Sequence, residues 1–232
     1  MGVYERQQKE KKILESAIVL FGEKGLHATK VEDVAKKAKI SKGLVYFYYK
    51  SKEDLYMAIT KKGIEELKEV FNKSFGKGKD KTGIEVMTDL VNGYFLFVQE
   101  KKVFHDAILY FLSVLELYHQ DSEKVNPLLL ESQYFNKLLQ NHNDIAKIGI
   151  KAISLGIKDG SMRPDLQADS TFYTIWSMLI GYCRLSGSVN LEPNDIKINA
   201  ESWKNGFNKI LFEILKGTNN PVKSQPVQGN LF

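Results

Sequence analysis

Apolar residues recur along most of the chain at intervals of three and four, the period of one helix face, and strict alternation is rare. Ile13, Ala17, Leu20 and Phe21 form the first such stripe, with Gly25 placed to end the helix in a left-handed turn, which predicts a helix over residues 5–24. Thr29-Lys30-Val31-Glu32 has the form of a capping box, and Val31, Val34, Ala35 and Ala38 supply the apolar face of a short helix over 31–38. Ser41 is a good N-cap for a third helix over 42–49, and Ser51 for a fourth over 52–75. Leu44-Val45-Tyr46-Phe47-Tyr48-Tyr49 reads as a strand by local propensity. Two capping serines bracket it and no turn-linked partner strand lies nearby, so helix is the better assignment.

Beyond residue 75 the pattern predicts helices over 84–101, 103–118, 128–158, 168–185 and 200–216, the third bent or broken near Asn141-His142-Asn143. Turn-rich breaks fall at 76–83, 119–127, 159–164 and 186–193. Residues 217–232 combine two prolines with Asn, Gln, Ser and Gly, the composition of a disordered tail. No internal repeat is present.

The expected fold is therefore all-α. An apolar fraction of 43% over 232 residues is enough for a substantial core, while a single cysteine excludes a disulfide framework and a four-cysteine zinc site. The first residues carry charge where a signal peptide needs an apolar core, and the longest uncharged stretch, 170–183, has 14 residues. That is short of the roughly 20 needed to span a bilayer, so a soluble cytoplasmic protein with no membrane partner is expected. Charge is uneven along the chain. Residues 1–52 carry 12 Lys/Arg and 6 Asp/Glu, a net +6, and the remainder carries 21 and 22, a net −1. A basic head on a neutral body suits contact with a polyanion, although a solvated lysine-rich surface has the same composition.

Two short helices joined by a few residues and preceded by a longer one make a helix-turn-helix whose second helix enters the DNA major groove. Its first turn is Ser41-Lys42-Gly43-Leu44. Gly43 allows close approach, Lys42 is able to donate to guanine or phosphate, and Leu44 is able to meet a thymine methyl group. Tyr46 to Tyr49 advance about 100° each, so they cannot all face the core. Tyr49 is expected inside, with Tyr46 and Tyr48 reaching outward toward phosphates.

Phe21, Gly25, Thr29, Val34-Ala35, Ala38, Ser41-Lys42-Gly43, Tyr46, Tyr48-Tyr49 and Lys52-Glu53-Leu55 resemble the TetR-like transcriptional regulators in type and spacing. The resemblance implies that Lys42, Gly43 and Leu44 face bases, and that Thr29, Tyr46, Tyr48 and Lys52 face phosphates. Lys30 stands where that family often has Ser or Thr, so a charge replaces a hydroxyl contact. Lys39 stands where it usually has glycine in the turn; either the turn is shaped differently or a left-handed lysine is tolerated at about 1–2 kcal/mol.

The resemblance further implies a helix-turn-helix domain over 1–52, a helical effector-binding and dimerisation domain over 53–216, and an omega-shaped homodimer on a palindromic double-stranded DNA operator. Aromatic and aliphatic residues in the body, namely Phe97, Phe104, Phe111, Leu115, Tyr134, Leu138 and Trp176, are candidates to line an effector pocket, although such residues also make ordinary core. Asp106 and Glu116 are the only carboxylates across 103–118, which points to an apolar or aromatic effector. Leu179, Ile180, Cys183, Trp203, Phe207, Ile210, Leu211 and Ile214 are candidates for the dimer seam.

No HExxH, CxxC, GxSxG, Walker A or GxGxxG motif occurs, and His105, His119 and His142 are too scattered for a local metal site. Neither a cofactor, a metal nor an enzymatic activity is called for. The expected function is that of a repressor released from DNA by a small molecule. The competing reading is a helical carrier or enzyme whose N-terminal bundle no longer binds DNA.

Overall fold

The computed structural model describes residues 3–76, 81–189 and 199–217, and among them every regular element is helical. Among the described residues eleven α-helices follow one another: α1 (Val3–Ala28), α2 (Val31–Ala38), α3 (Lys42–Tyr48), α4 (Lys52–Gly76), α5 (Gly83–Glu100), α6 (Lys102–Gln120), α7 (Pro127–Leu130), α8 (Gln133–Asn141), α9 (Asp144–Asp159), α10 (Ala168–Val189) and α11 (Ala200–Lys216). The predicted tail from residue 218 onward, residues 190–193 of the break at 186–193 and residues 77–80 of the break at 76–83 lie outside the described residues.

Most departures from the predicted pattern have a capping cause. Helix α1 is drawn through to Ala28, yet Gly25 takes φ 74° and ψ 175°. Its positive φ was expected, but its ψ is extended rather than left-handed helical. The Thr29 capping box does not form: Lys30 is the N-cap of α2 with no side-chain cap, and the Thr29 hydroxyl turns back to the Gly25 carbonyl at 2.7 Å. The single helix expected over 128–158 is three. Ser132 is the reason for the additional break, because its hydroxyl accepts from the N–H groups of Tyr134 at 3.1 Å and Phe135 at 3.2 Å and so starts a fresh helix.

The chain forms two compact units, one from 1–80 and 88–149, the other from 81–87 and 150–232. In the first, the predicted stripes of α1 and α2 face inward: Ile13, Ala17, Leu20, Phe21, Val31, Val34, Ala35 and Ala38 are all buried. Phe21 and Tyr110 both meet the Tyr56 ring edge-on, at 5.1 and 5.4 Å. A second cluster gathers Met57, Phe111, Val114, Leu115, Val125, Leu129, Phe135 and Leu138 around α4, α6 and α8. Removal of such side chains from water, worth about 1.5–3 kcal/mol each, is what holds these short helices in place.

In the second unit, Ala152, Ile153, Met162, Phe172, Ile175, Leu179, Leu211 and Leu215 are buried, and the Tyr182 ring lies 4.9 Å from Trp203 and 4.7 Å from Phe207. The first turn of α5 is capped from the end of α9: the Gly83 N–H donates to Asp159 at 2.7 Å and the Ile84 N–H to Ser161 at 3.1 Å. Glu85 completes the cap by accepting from the Thr82 N–H and hydroxyl. The Thr82 hydroxyl and N–H hold the Glu85 carboxyl below its ordinary range, and Ser161, with the Gly83 N–H, does the same for Asp159. Carboxyls with lowered folded-state values stabilise fully above the ordinary range, and that stability disappears as pH falls through the folded values. The second unit is therefore expected to lose stability below about pH 4, and Asp159→Asn to flatten that dependence. Thermal melting against pH checks this, and an unchanged slope in the variant would refute it.

Candidate nucleic-acid interface

Helix α2 ends in a turn that sets the angle of α3. Lys39 adopts φ 56° and ψ 47°, the one positive-φ non-glycine among the described residues. Its N–H donates to the Lys36 carbonyl at 3.1 Å and the Ile40 N–H to the Ala35 carbonyl at 3.0 Å. This pair is a Schellman motif, so the turn keeps the shape glycine would give it and lysine tolerates the left-handed backbone. Ser41 then caps α3 by accepting from the Leu44 N–H at 3.2 Å. Val45 and Tyr49, one helical turn apart and both 1% exposed, anchor α3 to the core. The opposite side of the helix is left bare.

On that bare side Lys42 and Gly43 are exposed, Leu44 is half-buried and Tyr46 is exposed with its ring 5.7 Å from the Lys42 ammonium. Lys42 also pairs across the turn with Glu32 of α2. That hydrogen bond lowers the Glu32 carboxyl below its ordinary range and raises the Lys42 ammonium. Lys30 is exposed beside this pair. Half-buried Lys52 donates to the His27 carbonyl at 3.3 Å and half-buried Tyr48 to the Arg6 carbonyl at 3.2 Å, so both have partners within the chain. Thr29 is 1% exposed with its hydroxyl bonded to backbone, which removes it from the set able to reach a phosphate through its side chain.

Phe47 was missed. It is the most exposed aromatic of α3 at 66%, with the Arg6 guanidinium 5.5 Å above its ring. Its position was available from the sequence: Phe47 is two residues from each inward anchor, about 200° around the helix.

The other candidate residues lie deeper in the chain. Phe97, Phe104, Phe111, Leu115 and Leu138 are buried in the first unit, three of them within one cluster, and half-buried Tyr134 packs against it. Trp176 belongs to the second unit, where its ring stacks on Phe172 at 5.9 Å. Among the dimer-seam candidates, Leu179 at 3% and Leu211 at 0% exposure are used inside their own chain, a correction that follows from the inward side of α10 and α11. Ile210 at 56% and Ile214 at 38% face outward, while Ile180, Cys183, Trp203 and Phe207 are half-buried. Burial raises the Cys183 thiol to about 11, so it is protonated at neutral pH. Among the described residues no cluster of His, Cys, Asp and Glu is able to hold a metal ion, and no helix is long and apolar enough to cross a membrane.

Comparison with known proteins places this geometry. Residues 13–59, from α1 to the start of α4, match the bacterial regulatory proteins of the tetR family. An uncharacterized HTH-type transcriptional regulator of Bacillus subtilis, YuxN, is 47% identical over 53 residues, 23% of this chain and 18% of that protein. The HTH-type transcriptional repressor KstR2 of Rhodococcus jostii is 27% identical over 184 residues, covering 78% of this chain and 82% of the repressor. The transcriptional regulator FadR of Bacillus subtilis, solved in complex with stearoyl-CoA, superposes with a TM-score of 0.61 at 19% identity, covering 88% of this chain and 98% of that one. The matched segment holds the capped, glycine-free turn and the exposed face of α3 together, and the likeness of fold extends through the helices that follow. Residues 13–59 thus match the tetR family of bacterial regulatory proteins, and over most of its length the chain is similar to transcriptional repressors of that kind.

Proposed function

We propose that the protein is a repressor that binds a palindromic operator as a homodimer and leaves it when a small molecule enters its helical body. On this reading residues 1–52 read DNA and 53–216 bind effector and partner. The carrying observation is the row Lys42, Gly43, Tyr46 and Phe47 on one exposed face of α3. A Cβ at Gly43 would meet nothing within 4 Å in the chain, so the fold itself does not require glycine there, whereas close approach of a base pair does. Lys42, Gly43 and Leu44 meet base edges. Lys30, Tyr46, Tyr48 and Lys52 meet phosphates, Tyr48 and Lys52 after leaving their present carbonyl partners.

Ile210, Ile214, Ile180, Cys183, Trp203 and Phe207 supply the dimer seam, for which the outward apolar side chains of α11 are the support. The effector presents an apolar or aromatic surface to the body, where Phe97, Phe104, Phe111, Leu115, Leu138, Tyr134 and Trp176 are the candidates to meet it. The stearoyl-CoA held by the FadR of similar fold makes a fatty acyl thioester the first compound to try.

Fluorescence anisotropy with fragments of the gene's own upstream region tests the reading. One fragment is expected to bind far more tightly than random duplex, with affinity falling by about 0.9 log unit per log unit of salt for each phosphate neutralised. Added stearoyl-CoA is expected to release it. No preference for any fragment over random DNA at low salt would remove the operator claim.

A further inference from the structure

The end of α3 is tied to the first turn of α8 by two links, one of them fully buried. Asp54, in the first turn of α4 and 3% exposed, accepts from the Lys50 N–H at 2.8 Å just past α3, while the Ser51 hydroxyl accepts from the Asp54 N–H at 3.0 Å. The other oxygen of Asp54 accepts the hydroxyl of Ser132, which is 1% exposed and is itself the N-cap of α8. Beside it, the Tyr49 ring at the end of α3 stacks on Tyr134 of α8 at 5.7 Å. The Tyr134 hydroxyl donates onward to Glu10 of α1 at 2.7 Å. Lys50 adds an exposed pair with Glu131 at 3.2 Å.

We propose that Ser132 and Tyr134 are positioning residues for DNA recognition, holding the C-terminal end of the recognition helix from α8 through Asp54 and Tyr49. The chemistry is specific. Ser132 spends its one proton on Asp54 and its lone pairs on two N–H groups of α8, so the start of α8 cannot shift along its axis without releasing Asp54. Asp54 in turn holds the peptide that ends α3. Buried polar groups that lose a partner are costly, so the two helix ends move together or the network breaks. A displacement of α8 is thereby transmitted to the residues that meet DNA without passing along the length of α4.

The inference rests on the DNA-reading role of α3, and the experiment separates the two. Hydrogen exchange by mass spectrometry is measured on the full chain carrying Ser132→Ala, Ser132→Thr or Tyr134→Phe. Ser132→Ala is expected to speed exchange of the amides of 45–50 about tenfold, leaving those of 34–38 within about twofold. Ser132→Thr, which keeps the hydroxyl, is expected to match the wild type, and Tyr134→Phe, which keeps the stack, to fall between. In anisotropy, Ser132→Ala is expected to reduce the preference for operator over random duplex about tenfold with random binding unchanged. Equal acceleration in α2 and α3, or none in α3, overturns the positioning role whatever the DNA result. If α3 amides respond as stated but the wild type prefers no DNA fragment, the coupling stands and the operator reading falls.

Discussion

Replacing Lys42 with alanine is expected to lower the preference for operator over random duplex about ten- to a hundredfold, while binding to random DNA falls only about two- to threefold. The asymmetry follows from where Lys42 stands. It opens the recognition helix next to a glycine that leaves room for a base pair, and its ammonium has no phosphate-directed alternative imposed by the fold. In the free protein it is held by Glu32, with the Tyr46 ring 5.7 Å away. Both members of that pair are about half exposed, so water screens it and DNA has little to overcome in taking the lysine away. Glu32→Gln is accordingly expected to tighten binding to operator and random duplex alike by a few-fold, because it frees Lys42 and removes a carboxylate from the DNA-facing side. Tyr46→Phe is expected to weaken both by a similar few-fold factor, as the loss of a hydroxyl donor to phosphate should. Titrations of the three variants against the two duplexes check the set. A Lys42→Ala protein that loses operator and random binding in equal proportion would make Lys42 a phosphate contact and leave base reading to other residues.

What the sequence could and could not tell separates cleanly by the range of the interaction. The bounds of α2 were legible because four apolar residues on one face left no freedom, and those of α3 to within one residue because Ser41 offers a cap whatever surrounds it. The same local logic overrode the strand-like run Leu44–Tyr49. Lys39 was recognisable as a residue in a position suited to glycine, and its left-handed backbone is the tolerated outcome. Side-chain partners across helices were not legible. Nothing local shows that Thr29 turns its hydroxyl inward to Gly25, that Glu32 reaches Lys42, or that Asp54 meets Ser132 78 residues away. Periodicity shows that a helix has an apolar side but not what covers it. That is why Leu179 and Leu211, read as seam residues, lie inside their own unit while Ile210 and Ile214 do not.

The largest stability loss is expected at Gly83, a position that no motif marks. An added Cβ there would lie 2.0 Å from the Gly156 nitrogen, 2.3 Å from its Cα and 2.7 Å from the Ala152 carbonyl oxygen. All three are backbone atoms of α9, and backbone in the middle of a packed helix cannot step aside as a side chain does. The same residue donates its N–H to Asp159, so moving α5 away to make room also breaks the cap described above. Gly83→Ala is therefore expected to cost about 3 kcal/mol, the upper end for overpacking. Gly156→Ala provides the comparison, since its Cβ would meet the Met162 side chain, at 2.6 Å from Cγ and 2.7 Å from Sδ. Methionine has three rotatable bonds with which to yield, and about 1–2 kcal/mol is expected. Urea unfolding at constant pH measures both, with hydrogen exchange in α9 and α10 reporting where the loss falls. The ordering is the decisive reading, because a larger loss for Gly156→Ala would mean that α5 and α9 are not in backbone contact and that the capping of α5 by Asp159 and Ser161 does not fix their approach.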